Sequence, residues 1–283
     1  MQKIGILGPG TMGSSIAYLA ASCGFDVVLY GRSDSSLEKG KDRIEKIISG
    51  GLKRGKITEK DAEKIRGKIE YTTDLNPFVD CDIVIESVAE DIELKKDIFR
   101  RVDMICPKRT ILATNTSTKS ITEIASVCKH QNRVIGMHFF NPAHIMRLVE
   151  VVKAVQTTDD VVEQVKDIAI KLGKIPVVVK DYPGFIVNRL LVPFLNHAIE
   201  FLESGISAET LKKVATFGLG HPMGPIELAD FIGLDVVQAM GETLYDGFKD
   251  EKFSPPILLK NLVKAGFLGV KTKKGFLDYD GKK

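Results

Sequence analysis

The chain has little of what marks a secreted, metal-holding or membrane-borne protein. Its 283 residues include four cysteines, Cys23, Cys81, Cys106 and Cys128. None stands in a CxxC or other metal-ligand spacing, which excludes a disulfide framework or zinc site as the organising feature. They read as reduced, mostly buried thiols of a cytoplasmic protein. No apolar run approaches the roughly 20 residues of a membrane span. Met1 stands two residues ahead of the first apolar strand, so no leader segment is expected. The net charge of +3 is too near neutral to point to nucleic acid or a membrane surface. There is no internal repeat and no low-complexity tract. The length is too great for one small core and fits one large or two ordinary domains.

What the chain does have is a glycine loop in the right place. Lys3–Leu7 reads as a short apolar strand and runs into Gly8-Pro9-Gly10-Thr11-Met12-Gly13. An Ala-rich segment, Ser14–Ser22, follows and reads as helix. GxGxxG alone is weak evidence, but here strand precedes and helix follows. Gly8 allows the tight turn, Gly10 lets backbone approach a pyrophosphate at the helix N-terminus, and Gly13 lets helix and strand pack closely. A second strand, Asp26–Tyr30, is followed by Gly31-Arg32-Ser33, where dinucleotide folds usually carry an acid for the ribose hydroxyls.

Strands and helices then alternate. Strands are expected at Ile69–Thr72, Ile83–Glu86, Ile111–Thr114, Arg133–Met137 and Pro176–Lys180. Asp91 reads as a helix cap, and Ser120 with Glu123 as a capping box. Beyond Asp181-Tyr182-Pro183-Gly184 only helical signals remain: Phe185–Glu203 with Pro193 inside it, Ser207–Phe217, Gly224–Ile232, Leu234–Tyr245 and Pro256–Ala265. The expected fold class is α/β: a doubly wound, mostly parallel Rossmann-type sheet over residues 1–182, then an all-α C-terminal domain over residues 183–283. A helical hairpin is inserted at about residues 34–67, with Lys53, Arg54 and Lys56 at its tip. Those three are either a solvated turn or a contact for a phosphorylated ligand.

In such a sheet, ligands gather at the carboxyl ends of the strands. Glu86, Glu90, Asn115, Ser117 and His138 all fall there. His138 follows an apolar run, and Glu150 lies inside another, Leu148–Val152. An ionised carboxylate in such a run is costly to bury unpaired. Strand alternation puts Leu148, Glu150 and Val152 on one face. If that face meets the His138 strand, the carboxylate holds one imidazole nitrogen and the other serves as a base. Asn188, at the start of the first C-terminal helix, is a structural hydrogen bonder or a substrate contact.

GPGTMG at Gly8–Gly13, NTS at Asn115–Ser117, HFFNP at His138–Pro142 and LVEVV at Leu148–Val152 occur in that order. DYPGFIVNRLL from Asp181, GHPMGPIELADFIGLD from Gly220 and KTKKGF from Lys271 follow. Over essentially its whole length the chain resembles the 3-hydroxyacyl-CoA dehydrogenase family, in its short bacterial form acting on 3-hydroxybutyryl-CoA. The resemblance implies a dinucleotide-binding domain and a helical domain that forms a homodimer. It implies a stand-alone dehydrogenase that interconverts (S)-3-hydroxyacyl-CoA and 3-ketoacyl-CoA, with no nucleic-acid or membrane partner and no metal. His138 would be the general acid/base and Glu150 its orienting partner, with Ser117 and Asn188 on the substrate's 3-oxygen. Asn141 would help place the nicotinamide end, Asn115, Glu90 and Lys95 would lie near cofactor and substrate, and Lys271 would reach the cofactor from the tail. Arg54, with Lys53 and Lys56, would lie near the coenzyme A phosphates. A sugar-acid (L-gulonate-type) dehydrogenase and a non-catalytic structural protein on the same fold are the alternatives. The intact HFFNP argues against the first, and the retained His138, Glu150, Ser117 and Asn188 against the second.

In the family's NAD-dependent members the residue after the second strand is an aspartate. Here Gly31 stands there, so repulsion of a 2′-phosphate is absent and space is expected to open. Arg32 can pair with a phosphate, and Ser33 with Ser35 or Ser36 can donate hydroxyls. NADP is therefore the expected cofactor in preference to NAD.

Overall fold

The structure is a computed structural model that describes residues 3–280. The chain divides after Tyr182 into two compact units, each with a core of its own.

The first unit is built on an eight-stranded sheet. Its strands are β1 (Lys3–Leu7), β2 (Asp26–Tyr30), β3 (Ile69–Thr72), β4 (Ile83–Glu86), β5 (Ile111–Thr114), β6 (Val134–Phe139), β7 (Leu148–Lys153) and β8 (Ile175–Lys180). The order is β3-β2-β1-β4-β5-β6-β7-β8. Every neighbouring pair is parallel except β6 and β7. The central strands are apolar on both faces, as strands covered from both sides must be. Strand order reverses between β1 and β4, so the loops after these two strands flank the topological switch point where such sheets hold ligands.

Among the described residues, six α-helices belong to this unit: α1 (Thr11–Ser22), α2 (Asp34–Lys53), α3 (Glu59–Gly67), α4 (Ile92–Ile105), α5 (Ile121–Ala125) and α6 (Asp159–Lys171). Ile16, Ala17 and Ala20 of α1, Ile44 and Ile48 of α2 and Val165 of α6 pack into one core with the strands. Capping boxes at Ser33/Ser36 and Thr58/Asp61 start α2 and α3. A two-bond Arg66–Glu45 pair ties this hairpin together.

Strand β6 runs two residues past the expected Met137, because its antiparallel ladder with β7 continues to Phe139↔Val149. His138 is thus inside the strand rather than beyond its end.

The second unit is helical: α7 (Val187–Glu203), α8 (Ala208–Lys213), α9 (Pro225–Ile232), α10 (Leu234–Phe248) and α11 (Ile257–Lys264). Helix α7 starts two residues later than expected, since Gly184 and Phe185 both take positive φ in the turn before it. The expected Ser207–Phe217 helix is shorter, passing into a π-helical turn at Val214–Gly218, where the Thr216 hydroxyl donates to the Lys212 carbonyl. Val192, Leu195 and Ile199 of α7 pack on Ile226, Val237, Leu244 and Leu259. Asp230, buried, accepts the amides of Phe276 and Leu277 and the Tyr279 hydroxyl, and so fastens the tail to α9. Among the described residues no helix is long and apolar enough to cross a membrane.

Candidate active site

The loop after β1 has the shape of a phosphate cradle. A Cβ on Gly13 would stand 1.9 Å from the Gly8 carbonyl oxygen, so α1 enters closer to the loop than a side chain permits. A Cβ on Gly10, by contrast, would meet nothing within 4 Å. Open space over Gly10, at the N-terminus of α1 with the first-turn amides of Thr11 and Met12 beside it, fits a pyrophosphate. The loop is braced from behind: the Pro9 carbonyl accepts from the Ser14 hydroxyl at 3.1 Å and from Arg43 Nη1 at 3.0 Å. Arg43 was not a sequence candidate, because an arginine on a charged helix reads as solvated.

The turn after β2 corrects one expectation. Gly31 does not open space, for a Cβ there would lie 2.6 Å from Ser36 Oγ and 2.8 Å from Leu37 Cγ. Leu37 already fills the volume a side chain would need. Ser36 donates its hydroxyl to the Ser33 carbonyl at 2.7 Å and is not available to a ligand. Ser33 Oγ accepts the Ser36 amide as the cap of α2 and keeps its own hydrogen. Arg32 is exposed and has no hydrogen bond or acid partner among the described residues.

Past β4 and β5 lies a buried polar network. Glu86, the last residue of β4, accepts the Lys95 ammonium at 2.8 Å, the Val88 amide at 2.6 Å and the Thr114 hydroxyl at 2.6 Å. The same ammonium reaches Glu90 at 3.2 Å. Glu90 in turn accepts the hydroxyls of Thr116 and Thr118 and the amides of Ser117 and Thr118. Burial works to raise the Glu90 carboxyl, but Lys95 and the hydroxyls of Thr116 and Thr118 outweigh it and hold the group below its ordinary range. The network fixes the turn that carries Ser117, whose hydroxyl has no partner among the described residues. Lys95 is 1 % exposed, its charge committed to two carboxylates. Asn115 Oδ1 accepts the Phe139 amide at 2.9 Å and ties this turn to β6.

On β6 and β7, His138 and Glu150 are register partners, both buried. His138 Nδ1 lies 2.8 Å from Glu150 Oε2. An ionised carboxylate only accepts, so Nδ1 carries a proton; in the neutral ring this leaves the lone pair on Nε2, as a general base requires. Asn141, exposed, lies in the following loop.

Lys53, Arg54 and Lys56 are exposed at the α2–α3 turn, with no acid partner among the described residues. Asn188 and Lys271 belong to the second unit. Asn188 is buried in the first turn of α7, and Lys271 pairs with both carboxylate oxygens of Asp235 at 2.6 Å. Among the described residues no three His, Cys, Asp or Glu side chains gather as a metal site.

A doubly wound sheet with a glycine cradle at its switch point and a buried histidine–carboxylate pair on β6 and β7 defines a dinucleotide-dependent dehydrogenase. Residues 3–182 match the 3-hydroxyacyl-CoA dehydrogenase NAD binding domain, and residues 184–279 match the C-terminal domain of the same family. The chain belongs to the 3-hydroxyacyl-CoA dehydrogenase family. It is 43% identical over 278 residues to a probable 3-hydroxybutyryl-CoA dehydrogenase of Deinococcus radiodurans, covering 98% of this chain and 100% of that one. To the 3-hydroxybutyryl-CoA dehydrogenase of Clostridioides difficile it is 42% identical over 279 residues, 98% of this chain and 99% of the other. The crystal structure of (S)-3-hydroxybutyryl-CoA dehydrogenase from Ralstonia eutropha superposes with a TM-score of 0.94 at 40% identity, covering 99% of both chains.

Proposed function

We propose that this protein interconverts (S)-3-hydroxyacyl-CoA and 3-ketoacyl-CoA, with 3-hydroxybutyryl-CoA and acetoacetyl-CoA as the pair it handles. The observation that carries the reading is the buried 2.8 Å contact between His138 and Glu150 on the same sheet that carries the glycine cradle. The names of the relatives supply the acyl-CoA class. In the oxidative direction His138 takes the proton from the substrate's 3-hydroxyl through Nε2, and Glu150 keeps the ring in the tautomer that can do so. Ser117 and Asn188 donate hydrogen bonds to the developing oxyanion. In reverse, His138 returns the proton to the 3-oxygen.

The cofactor is a dinucleotide of the NAD type, held by Gly8, Gly10, Thr11, Met12 and Gly13 at the pyrophosphate. When bound, its nicotinamide supplies the hydride acceptor or donor. Asn115 and Asn141 line the nicotinamide end, Glu90 and Lys95 shape the turn beside it, and Lys271 is a further proposed cofactor contact. NADP is proposed over NAD, because an unpartnered Arg32 and the Ser33 hydroxyl follow β2 where an acid would repel the 2′-phosphate. Lys53, Arg54 and Lys56 offer charge to the phosphates of coenzyme A.

A homodimer through the second unit is also proposed. That unit leaves Leu190 71%, Ile257 72% and Phe217 89% exposed, a large apolar surface for about 100 residues. The four free thiols suit a reducing, cytoplasmic compartment. The experiment that tests the main reading is turnover of acetoacetyl-CoA set against L-gulonate. Reduction of acetoacetyl-CoA supports it; oxidation of L-gulonate alone, or no turnover at all, overturns it.

A further inference from the structure

The network past β4 and β5 holds two carboxylates and one cation. Lys95 pairs with Glu86 at 2.8 Å and with Glu90 at 3.2 Å, and among the described residues no other cation lies within ion-pair distance of either. Lys96, the next residue on α4, is committed to Glu93 and Glu123 instead. Both oxygens of each carboxylate face donors. Glu86 Oε1 accepts Lys95 and the Val88 amide. Its Oε2 accepts the Thr114 hydroxyl, whose own oxygen is taken by the Thr116 amide at 3.3 Å. Glu90 Oε1 accepts the amides of Ser117 and Thr118 and the hydroxyls of Thr116 and Thr118, and its Oε2 faces Lys95. No place is left for a carboxyl proton. Burial works against the Glu90 charge, but Lys95 and the two threonine hydroxyls outweigh it. Glu86, Lys95 and Glu90 together therefore carry one net negative charge. Glu86 and Lys95 are sealed in, while the Glu90 side chain is 39% exposed and turns that charge toward the open end of the sheet.

The strand order shows what passes over it. The glycine cradle follows β1, His138 stands on β6, and β4 and β5 lie between them. Neighbouring strands are about 4.8 Å apart, so about 14 Å separate cradle and base. The carbon that loses a hydroxyl proton to His138 is the carbon that gives up the hydride. A dinucleotide with its pyrophosphate on the cradle must therefore carry its nicotinamide across the ends of β4 and β5. Glu86 ends β4, Thr114 ends β5, and Glu90 grips the turn that follows β5.

Hydride transfer turns a nicotinamide with one positive charge into a neutral ring. We propose that the net negative charge of Glu86, Lys95 and Glu90 favours the oxidised, cationic ring over the reduced, neutral one, and so sets the relative affinity of the two redox forms. The proposal rests on the dinucleotide-dependent dehydrogenase reading above. It gives the buried ion pair a task besides stability: Lys95 keeps two carboxylates ionised at one place, and the surplus charge acts on the ligand through a site that water leaves when the cofactor binds.

The test is calorimetric titration at pH 7.5 with NADP⁺ and NADPH, and with NAD⁺ and NADH. The proteins are wild type, Glu86→Gln, Glu90→Gln and the double variant Glu86→Gln/Lys95→Met. Each single variant brings the three groups to neutrality. Each should raise the ratio of oxidised to reduced Kd about five- to tenfold by loosening the oxidised form. Glu86→Gln is the sharper of the two, because Glu86 is 0% exposed and removes no surface that a ligand could touch. Its amide oxygen can still accept Lys95 and Val88 while its nitrogen donates to Thr114. The double variant loses one charge of each sign and regains the net negative charge. Its ratio should return toward that of wild type, although it is the more heavily altered protein. Equal ratios in all four proteins overturn the proposal. Equal loosening of both redox forms does so too, since that marks a structural effect on the turn, and so does a double variant whose ratio stays with that of Glu86→Gln. A protein that shows these shifts yet does not reduce acetoacetyl-CoA counts against the acyl-CoA reading alone. A wild type that binds none of the four dinucleotides overturns the dinucleotide reading and this proposal with it.

Discussion

His138 and Glu150 stand directly opposite each other on the antiparallel β6–β7 ladder, their side chains joined at 2.8 Å. The sheet supplies this geometry. Register partners on adjacent strands put their side chains on the same face, so a separation of 12 residues in sequence becomes a hydrogen bond. With Glu150 only 1% exposed, the imidazole supports its charge and the carboxylate steadies the ring orientation.

Removing the imidazole should therefore stop turnover while leaving the fold. His138→Ala is expected to lower kcat by about 10²–10⁴-fold, the range of a lost general base. Glu150→Gln keeps the size but can present its N–H to Nδ1 and favour the wrong tautomer, so a loss of about tenfold or more is expected. Dinucleotide affinity, read by fluorescence titration, should change little in either. Wild-type kcat in His138→Ala would remove the histidine from the mechanism.

Much of the frame was legible in the chain because it is written locally. Apolar runs broken by Gly, Asp and Asn mark β1 through β5, and alternation within Leu148–Val152 puts Glu150 on the face that meets His138. What escaped the sequence is made by contacts distant in the chain. Arg43 sits on a helix among charged neighbours and reads as solvated, yet its guanidinium reaches the Pro9 carbonyl behind the glycine loop. Ser15 and His144, whose side chains meet at 2.8 Å, are 129 residues apart, and nothing near either signals the other. The filled space behind Gly31 was invisible too, since Leu37 reads only as one member of a helix stripe.

The buried network predicts a stability effect with a pH signature. Lys95→Met leaves the carboxylate of Glu86, itself fully buried, without its cation. Breaking a buried pair from one side costs about 3–5 kcal/mol. The urea midpoint should fall accordingly, and adding Glu86→Gln should recover part of the loss. Glu90 supplies the pH dependence. Its folded pKa lies below the unfolded value, so its contribution is present above the ordinary 4.5 and disappears as pH falls through the depressed folded value. Below pH 4.5 the Tm of wild type should drop more steeply than that of Glu90→Gln. Parallel Tm profiles would mean that Glu90 contributes no such linkage.

The exposed apolar side chains of the second unit predict assembly. Light scattering at micromolar concentration should give twice the 31.1 kDa of one chain. Phe217→Glu and Leu190→Glu place a charge on residues that are 89% and 71% exposed in the single chain. If both lie in the interface, each should shift the mass toward one chain without unfolding the helices, as judged by circular dichroism. A wild-type mass of one chain would contradict the homodimer.

Cofactor choice turns on the residues after β2, and the packing there decides which variant is informative. Arg32 is exposed and unpartnered among the described residues, so its guanidinium can donate two hydrogen bonds to a 2′-phosphate at little cost in existing contacts. Arg32→Ile removes that pairing and touches nothing else. It should lower kcat/KM for NADPH about tenfold and leave the NADH value near that of wild type. Restoring an acid with Gly31→Asp is a poorer test. The new Cβ would lie within 2.9 Å of Ser36 Oγ and of two Leu37 side-chain carbons, an overlap that must displace the first turn of α2. Overpacking of that kind costs about 1–3 kcal/mol, so a lower Tm is expected for Gly31→Asp whatever its cofactor preference. Arg32→Asp introduces the repelling charge on an exposed side chain and avoids the clash. It should move the enzyme further toward NADH than Arg32→Ile does. A wild type that already prefers NADH in kcat/KM, with Arg32→Ile unchanged for both cofactors, would show that Arg32 points to solvent and that the missing acid alone does not select NADP.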